Sequence, residues 1–126
     1  MDKKVLENKS LDFALSVVAV ARTLQLDKEF VLSRQFMRSG TAIGAMIREA
    51  RFAQSKADFV NKMSIALKEA NEAYYWILLL ERSNLMCIPR LKADCDELIA
   101  MLVSTVNTAK KSLQPMSLST KAKQTQ

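Results

Sequence analysis

The 126-residue sequence contains no histidine, and it has only two glycines and two prolines. Di-iron sites in helical bundles need histidine beside glutamate, and haem is often held by histidine, so the missing histidine argues against both kinds of site. A β-sandwich or β-barrel needs many turn residues, which are scarce here. The most common residues are good helix formers instead. The sequence therefore predicts an all-α protein.

Cysteines and long apolar runs are also scarce. The two cysteines, Cys87 and Cys95, have neither CxxC spacing nor a metal-binding partner, which is typical of free thiols in a reducing cytosol. The longest apolar runs, residues 17–21 and 74–80, are far shorter than the roughly 20 residues that span a bilayer. The first residues do not resemble a signal peptide. We expect a cytoplasmic protein that has no metal or cofactor and no membrane contact.

Apolar residues recur at alternating spacings of four and three, which indicates helices packed at shallow angles. Ser10 is expected to cap the first helix, and Ser55, with Asp58 three residues later, the third. Pro89 suits the first turn of the fourth helix. The predicted helices cover about residues 10–26, 28–53, 56–83 and 89–113.

The connections between these predicted helices are short, which favours antiparallel neighbours. Residues 1–113 are therefore expected to form a single antiparallel, up-down-up-down four-helix bundle. Residues 114–126 are rich in Ser, Thr, Lys and Gln and are expected to be a disordered, basic tail.

Small residues predict where helices come close. Gly40 and Gly44 lie four residues apart inside the second helix, where each costs about 1 kcal/mol relative to alanine. Close approach of another helix or of a neighbouring subunit would compensate for this cost. The third helix carries Ala66, Ala70 and Ala73 in its apolar stripe. We therefore predict that the second and third helices pack with their backbones in close contact.

Positive charge is concentrated on the second helix, in a protein whose net charge is +6. The spacing places most of these cations on one side, roughly opposite the apolar stripe. The cations on this side are Arg34, Arg38 and Arg48, and Arg51 and Lys56 extend the positive charge at the far end of the helix. One interpretation is a surface that binds the backbone of RNA or DNA. The other is that the arginines pair with carboxylates of a neighbouring helix or subunit. The available carboxylates include Glu69, Glu72 and Glu81.

Three consecutive aromatic residues, Tyr74, Tyr75 and Trp76, must point in different directions around the third helix. At most one or two of them can face the core of the bundle. Because Tyr and Trp are enriched at protein interfaces, we interpret the outward ring as part of a homo-oligomer interface. Stacking on nucleic-acid bases is the alternative.

The sequence contains no pair of residues suited to nucleophilic catalysis, no GxSxG motif and no Walker loop. The segment from Gly40 to Gly44 is not a phosphate-binding loop, because it lies inside a predicted helix. We therefore expect a protein that is not an enzyme.

Residues 30–80 contain a combination of residues that is typical of one protein family. The combination comprises Leu32, Gln35, Arg38, Ser39, residues 42–47, Glu49, Ser55, Asp58, Phe59, residues 65–67, Glu69, Ala70 and Glu72. In these residues the chain resembles a bacterial four-helix-bundle family named after proteins encoded within 23S ribosomal RNA intervening sequences. Met46 stands where family members usually have Asn, and Ala42 stands where many have Ser.

This resemblance implies a four-helix bundle that assembles as a homo-oligomeric ring, typically a pentamer. The similar accessory protein of diversity-generating retroelements is a basic ring that works with a reverse transcriptase and nucleic acid. The resemblance thus implies other copies of this chain as partners. It also implies that RNA or DNA is a partner, and that a reverse transcriptase is a partner where the gene lies near a retroelement.

Overall fold

The computed structural model describes residues 3–113, and within this range the chain forms four α-helices and no β-strand. Each helix packs against the next, and α1 also contacts α4, so that the four surround a common core. The predicted all-α class is confirmed, and the arrangement is a four-helix bundle. The predicted tail, residues 114–126, lies outside the described residues. The helices are α1, Lys3–Leu26; α2, Phe30–Arg51; α3, Lys56–Arg82; and α4, Pro89–Leu113.

The core is built from one face of each helix. Burying a large apolar side chain stabilises the fold by about 1.5–3 kcal/mol. The largest fully buried side chains include Val17 and Leu24 of α1, Phe36 and Ile43 of α2, Met63 and Ile77 of α3, and Leu98 and Leu102 of α4.

The start of α1 differs from the prediction. The helix begins at Lys3, so Ser10 is an interior residue and not the N-cap. Ser10 is buried, and its Oγ donates a hydrogen bond to the carbonyl of Glu7 at 2.9 Å. Leu6, four residues earlier, is buried as well. The apolar period therefore extends back through Ser10, which occupies a core position suited to a small side chain.

The start of α3 follows the prediction. Ser55 is the N-cap, and its Oγ accepts a hydrogen bond from the backbone N–H of Asp58 at 3.0 Å. The carboxylate of Asp58 accepts the N–H of Gln54 at 3.1 Å. Two backbone donors at the helix start are thereby satisfied. Helix α4 begins at Pro89, also as predicted.

Helices α1 and α3 are each followed by a residue with left-handed backbone, Lys28 with φ 63° and Asn84 with φ 60°. After α1, the N–H of Lys28 donates to the carbonyl of Gln25 at 3.0 Å, and the N–H of Glu29 donates to Leu24 at 2.8 Å. This is a Schellman motif, which satisfies the last carbonyls of the helix and ends it. Glycine usually holds the left-handed position, but here a lysine does.

The two glycines of α2 face α1, not α3. A Cβ on Gly40 would lie 2.7 Å from both methyl groups of Val17, and a Cβ on Gly44 would lie 3.3 Å from Oγ of Ser10. Buried Ser33 lies on the same side of α2, and its Oγ donates to the carbonyl of Ala21 of α1 at 2.9 Å. The predicted close contact is present, but its assignment to α3 is wrong. Spacing along α2 shows which residues share a side but not which helix that side meets.

The alanine stripe of α3 is fully buried at Ala66, Ala70 and Ala73. On the neighbouring helix α4, the thiol of Cys95 donates to the carbonyl of Ala70 at 3.5 Å. The alanines thus let α4 approach the backbone of α3.

Candidate nucleic-acid interface on α2

The outward side of α2 and the first residue of α3 display the cations that the sequence singles out. All five are exposed. At 1.5 Å per residue, the row from Arg34 to Arg48 extends about 21 Å along the helix. Their side chains nevertheless have different surroundings, which divides them into a paired group and an unpaired group. The five are Arg34, Arg38, Arg48, Arg51 and Lys56.

Arg38 is paired within the chain. Its guanidinium contacts Glu69 of α3 at 2.9 Å and also binds Glu72. The indole N–H of Trp76 donates to the same carboxylate of Glu72 at 3.1 Å. Arg38 therefore joins α2 to α3, and for this residue the ion-pair interpretation is the one the structure supports.

Each charged group of this network stabilises the charged form of its partners. Hydrogen bonds to Glu69 and Glu72 raise the pKa of Arg38 above its ordinary value. Partial burial acts to raise the pKa of Glu72, but hydrogen bonds from Trp76 and Arg38 outweigh it, so that pKa lies below its ordinary value. The carboxylate is consequently held in its charged form.

Arg51 is paired with α1, where Glu7 lies 3.2 Å from its guanidinium. The other carboxylate oxygen of Glu7 is buried and has no hydrogen-bond partner among the described residues. The guanidinium of Arg51 also lies 5.7 Å from the ring centroid of Phe52, and that of Arg48 lies 5.3 Å from it. Both distances are in the range of a cation–π contact. Phe52 is therefore an exposed ring flanked by two arginines.

Arg34, Arg48 and Lys56 lie within ion-pair distance of no carboxylate in residues 3–113. These three positive charges remain available to an anionic partner. We refer to them below as the open cations.

The three aromatic residues of α3 separate as predicted. Tyr74 and Trp76 are half-buried and pack against the core, whereas Tyr75 is 58% exposed. The rings of Tyr75 and Trp76 meet edge to face, with centroids 5.3 Å apart. A role of these rings in an oligomer interface stays a prediction.

Sequence reasoning missed two exposed phenylalanines at the ends of α2. Phe30 is 54% exposed, and Phe52 is 68% exposed. The four-residue spacing of Arg48 and Phe52 was a usable signal, because residues at i and i+4 lie side by side on a helix. It also missed Leu11 and Leu15 on the outer side of α1, which are 60% and 63% exposed.

Residues 3–113 contain no cluster of three His, Cys, Asp or Glu side chains placed to hold a metal ion. None of the described helices combines the length and apolar character needed to cross a bilayer. Both cysteines are free; Cys87 is exposed, and burial raises the pKa of the Cys95 thiol to about 12.

The sequence pattern of the 23S rRNA-intervening sequence proteins matches residues 3–104. The chain belongs to this family. A crystal structure of a protein of unknown function from the S23 ribosomal protein family, from Bacteroides thetaiotaomicron VPI-5482, is similar to it, with 44% identity and a TM-score of 0.80. The match covers 85% of this chain and 99% of that one. No protein with a curated description matches the chain.

Several residues that carry the resemblance to the 23S rRNA-intervening sequence proteins have internal roles in the bundle. Arg38 binds Glu69 and Glu72 between α2 and α3. Ser55 and Asp58 form the cap at the start of α3. This part of the family pattern is therefore explained by the fold, and the open cations are a separate feature.

Proposed function

We propose that this protein is a non-catalytic, homo-oligomeric helical bundle that binds the backbone of RNA or DNA through the outward side of α2. The observation that carries the proposal is that Arg34, Arg48 and Lys56 are exposed and unpaired in the described part of the chain. Cations that have no internal carboxylate partner can neutralise phosphates without first breaking an ion pair. The net charge of +6 adds long-range attraction.

The proposed assembly is an up-down-up-down bundle built into a cytoplasmic ring, with the pentamer as the expected size. Ion pairs support opposite directions for α2 and α3. Arg38 lies beside Glu69 and Glu72 of α3. Glu49, further along α2, lies 3.3 Å from Lys62, which comes earlier in α3. A reverse transcriptase is a further proposed partner if the gene accompanies a retroelement.

The binding test measures affinity for a labelled RNA and a labelled DNA across a range of salt concentrations. Replacing the three open cations by glutamine should weaken binding and make log K fall less steeply with log salt, by about one unit of slope for each phosphate no longer neutralised. The matched control replaces Arg22, Arg82 and Arg90 by glutamine, which removes the same net charge from exposed positions outside α2. Absence of binding at low salt would refute the proposal, as would equal losses in both triple variants.

The second candidate function is a protein-interaction module in which the α2 cations contact another subunit or protein. The exposed pair Leu11 and Leu15 favours a protein contact, because they lie one turn apart on the same outer side of α1. Size-exclusion chromatography with light scattering distinguishes the two functions. If neutralising the open cations dissociates the oligomer, these side chains serve subunit contacts. If the oligomer persists while nucleic-acid binding is lost, they form the binding surface.

A further inference from the structure

A pocket of about 480 Å³ lies where α2 ends, α3 begins and the last turns of α4 pass. We call it the end pocket. Its volume is within the range of about 300–1,000 Å³ that is usual for small-ligand sites. The apolar part of its lining includes Leu6, Phe59 and Met63. Such a lining suits the flat, weakly polar faces of an organic ring.

One wall of the end pocket is a row of hydroxyl groups on α4. Ser104, Thr108 and Ser112 follow one another at intervals of four, so they share one side of the helix, and all three line the pocket. Thr105 also lines it, but its hydroxyl donates to the carbonyl of Met101 at 2.9 Å. The row supplies groups that both donate and accept hydrogen bonds.

The rim of the end pocket is positively charged. Arg51 and Lys56 line it. Lys56 is one of the open cations, whereas Arg51 is paired with Glu7. Phe52 follows Arg51 directly and presents its ring beside Arg48 and Arg51. An exposed aromatic ring among arginines is the surface on which unpaired bases stack in proteins that bind single strands.

We propose that the end pocket and Phe52 together bind one unstacked nucleotide of a single-stranded nucleic acid. Lys56 attracts the phosphate, the apolar lining and the Phe52 ring cover the faces of the base, and the hydroxyl row meets polar edges of the base or sugar. This inference rests on the proposed nucleic-acid binding and specifies its substrate as single-stranded. A base within a duplex is stacked on both sides and must be flipped out of the stack, at a cost in free energy, before it can enter a pocket.

The test compares fluorescence anisotropy of a labelled single strand and of the duplex with the same sequence, using the full chain. The wild type should bind the single strand at least about tenfold more tightly. Phe52→Ala should weaken single-strand binding about 5- to 150-fold, which corresponds to about 1–3 kcal/mol of base stacking, and should leave duplex binding unchanged. Phe30→Ala is the matched control, because it removes an exposed phenylalanine at the opposite end of α2 and should change neither affinity.

Two further variants address the pocket itself. Thr108→Phe places a ring in the end pocket from an exposed position and should weaken single-strand binding to a similar extent. Thr108→Val replaces the hydroxyl with a methyl group of similar size and should cause a smaller loss of single-strand affinity. Unfolding midpoints equal to the wild type show that each variant is folded.

The outcomes separate this inference from the broader proposal. If neither single strand nor duplex binds, the proposed nucleic-acid function fails and this inference fails with it. If both bind equally, and Phe52→Ala behaves like Phe30→Ala, the proposed function stands and this inference is wrong. A separate titration measures the binding of adenosine 5′-monophosphate, a free nucleotide. If it binds as tightly as the oligonucleotide, the pocket takes a free nucleotide and the single-strand assignment is wrong.

Discussion

At the scale of single residues, position 40 has no room for a side chain. The Cβ of Gly40→Ala would lie 2.7 Å from both methyl groups of buried Val17. Overpacking of this kind costs about 1–3 kcal/mol, and the higher helix propensity of alanine offsets about 1 kcal/mol of it. Val17 is buried and its β-branched side chain cannot easily move aside, so the cost should lie in the upper part of that range. We therefore expect a net loss of about 1–2 kcal/mol in the free energy of unfolding, measured by urea titration.

A double-mutant cycle identifies the cause of that destabilisation. In a Val17→Ala background the methyl groups are gone, so Gly40→Ala should cost nothing or should stabilise. If the Gly40→Ala variant is as stable as the wild type, then Val17 of α1 does not lie as close to position 40 as the structure places it.

Position 28 has the opposite property, since it accommodates glycine better than the lysine it carries. The positive φ of Lys28 is unfavourable for a residue with a Cβ. Lys28→Gly should raise the free energy of unfolding by about 0.5–1 kcal/mol. Asn84→Gly is the internal comparison and should gain less, because asparagine tolerates the left-handed region. A lower thermal midpoint for Lys28→Gly would contradict the assignment of this turn.

The two thiols should differ in reactivity. Cys87 is exposed, whereas burial raises the pKa of Cys95 to about 12, so very little of the Cys95 thiol is ionised at pH 8. Iodoacetamide at that pH should therefore alkylate one cysteine of the native chain and both in urea. Mass spectrometry of a Cys87→Ser variant gives the decisive reading, because native alkylation of this variant would show that Cys95 is accessible.

At the scale of helices, Arg38 connects α2 to α3 through two carboxylates. Arg38→Gln should lower the free energy of unfolding at neutral pH by about 1 kcal/mol, as for a partly exposed ion-pair network. Arg34→Gln removes an unpaired arginine from the same helix and should change the free energy of unfolding by less than about 0.5 kcal/mol.

The effect of Arg38→Gln should also depend on pH. The pKa of Glu72 is lowered in the folded chain, so the stabilisation is present above the ordinary glutamate pKa of about 4.3 and is lost as pH falls through the lower folded value. Urea titrations in strong acid should show no difference between variant and wild type. A difference that persists there would mean that packing, not charge, is responsible.

Local sequence signals predicted where helices begin better than they predicted which helices pack against each other. The cap at Ser55 and the proline at Pro89 marked helix starts correctly, because capping depends on residues close in sequence. Ser10 also resembled a cap, but it lies in the buried stripe of a longer helix. The partner of Gly40 was assigned incorrectly, because the choice between α1 and α3 depends on packing around the whole bundle.

The cations of α2 and of the start of α3 illustrate the same difference for the candidate site. Periodicity was sufficient to place all five on the surface. It left open which of them have internal partners, since Arg38 meets Glu69 and Arg51 meets Glu7 only after the helices assemble. The end pocket combines residues from all four helices, so no single stretch of sequence could reveal it.

At the scale of the whole molecule, the proposed oligomer should change how stability depends on concentration. If the native state is an obligate oligomer, the thermal midpoint should rise with protein concentration, because association stabilises only the folded chain. Leu11→Lys with Leu15→Lys places charge on the exposed apolar pair of α1 and should give a smaller particle whose midpoint is independent of concentration. A wild-type midpoint that does not change with concentration would contradict obligate assembly.

The contact between Gly40 and Val17 also has a consequence for how such sequences diverge. Because the methyl groups of Val17 occupy the space that a side chain at position 40 would need, the two positions cannot vary independently. A relative with alanine or serine at position 40 should carry a smaller residue than valine at position 17, or a different crossing of α1 over α2. Among relatives, these two alignment columns should therefore covary, although they belong to different helices.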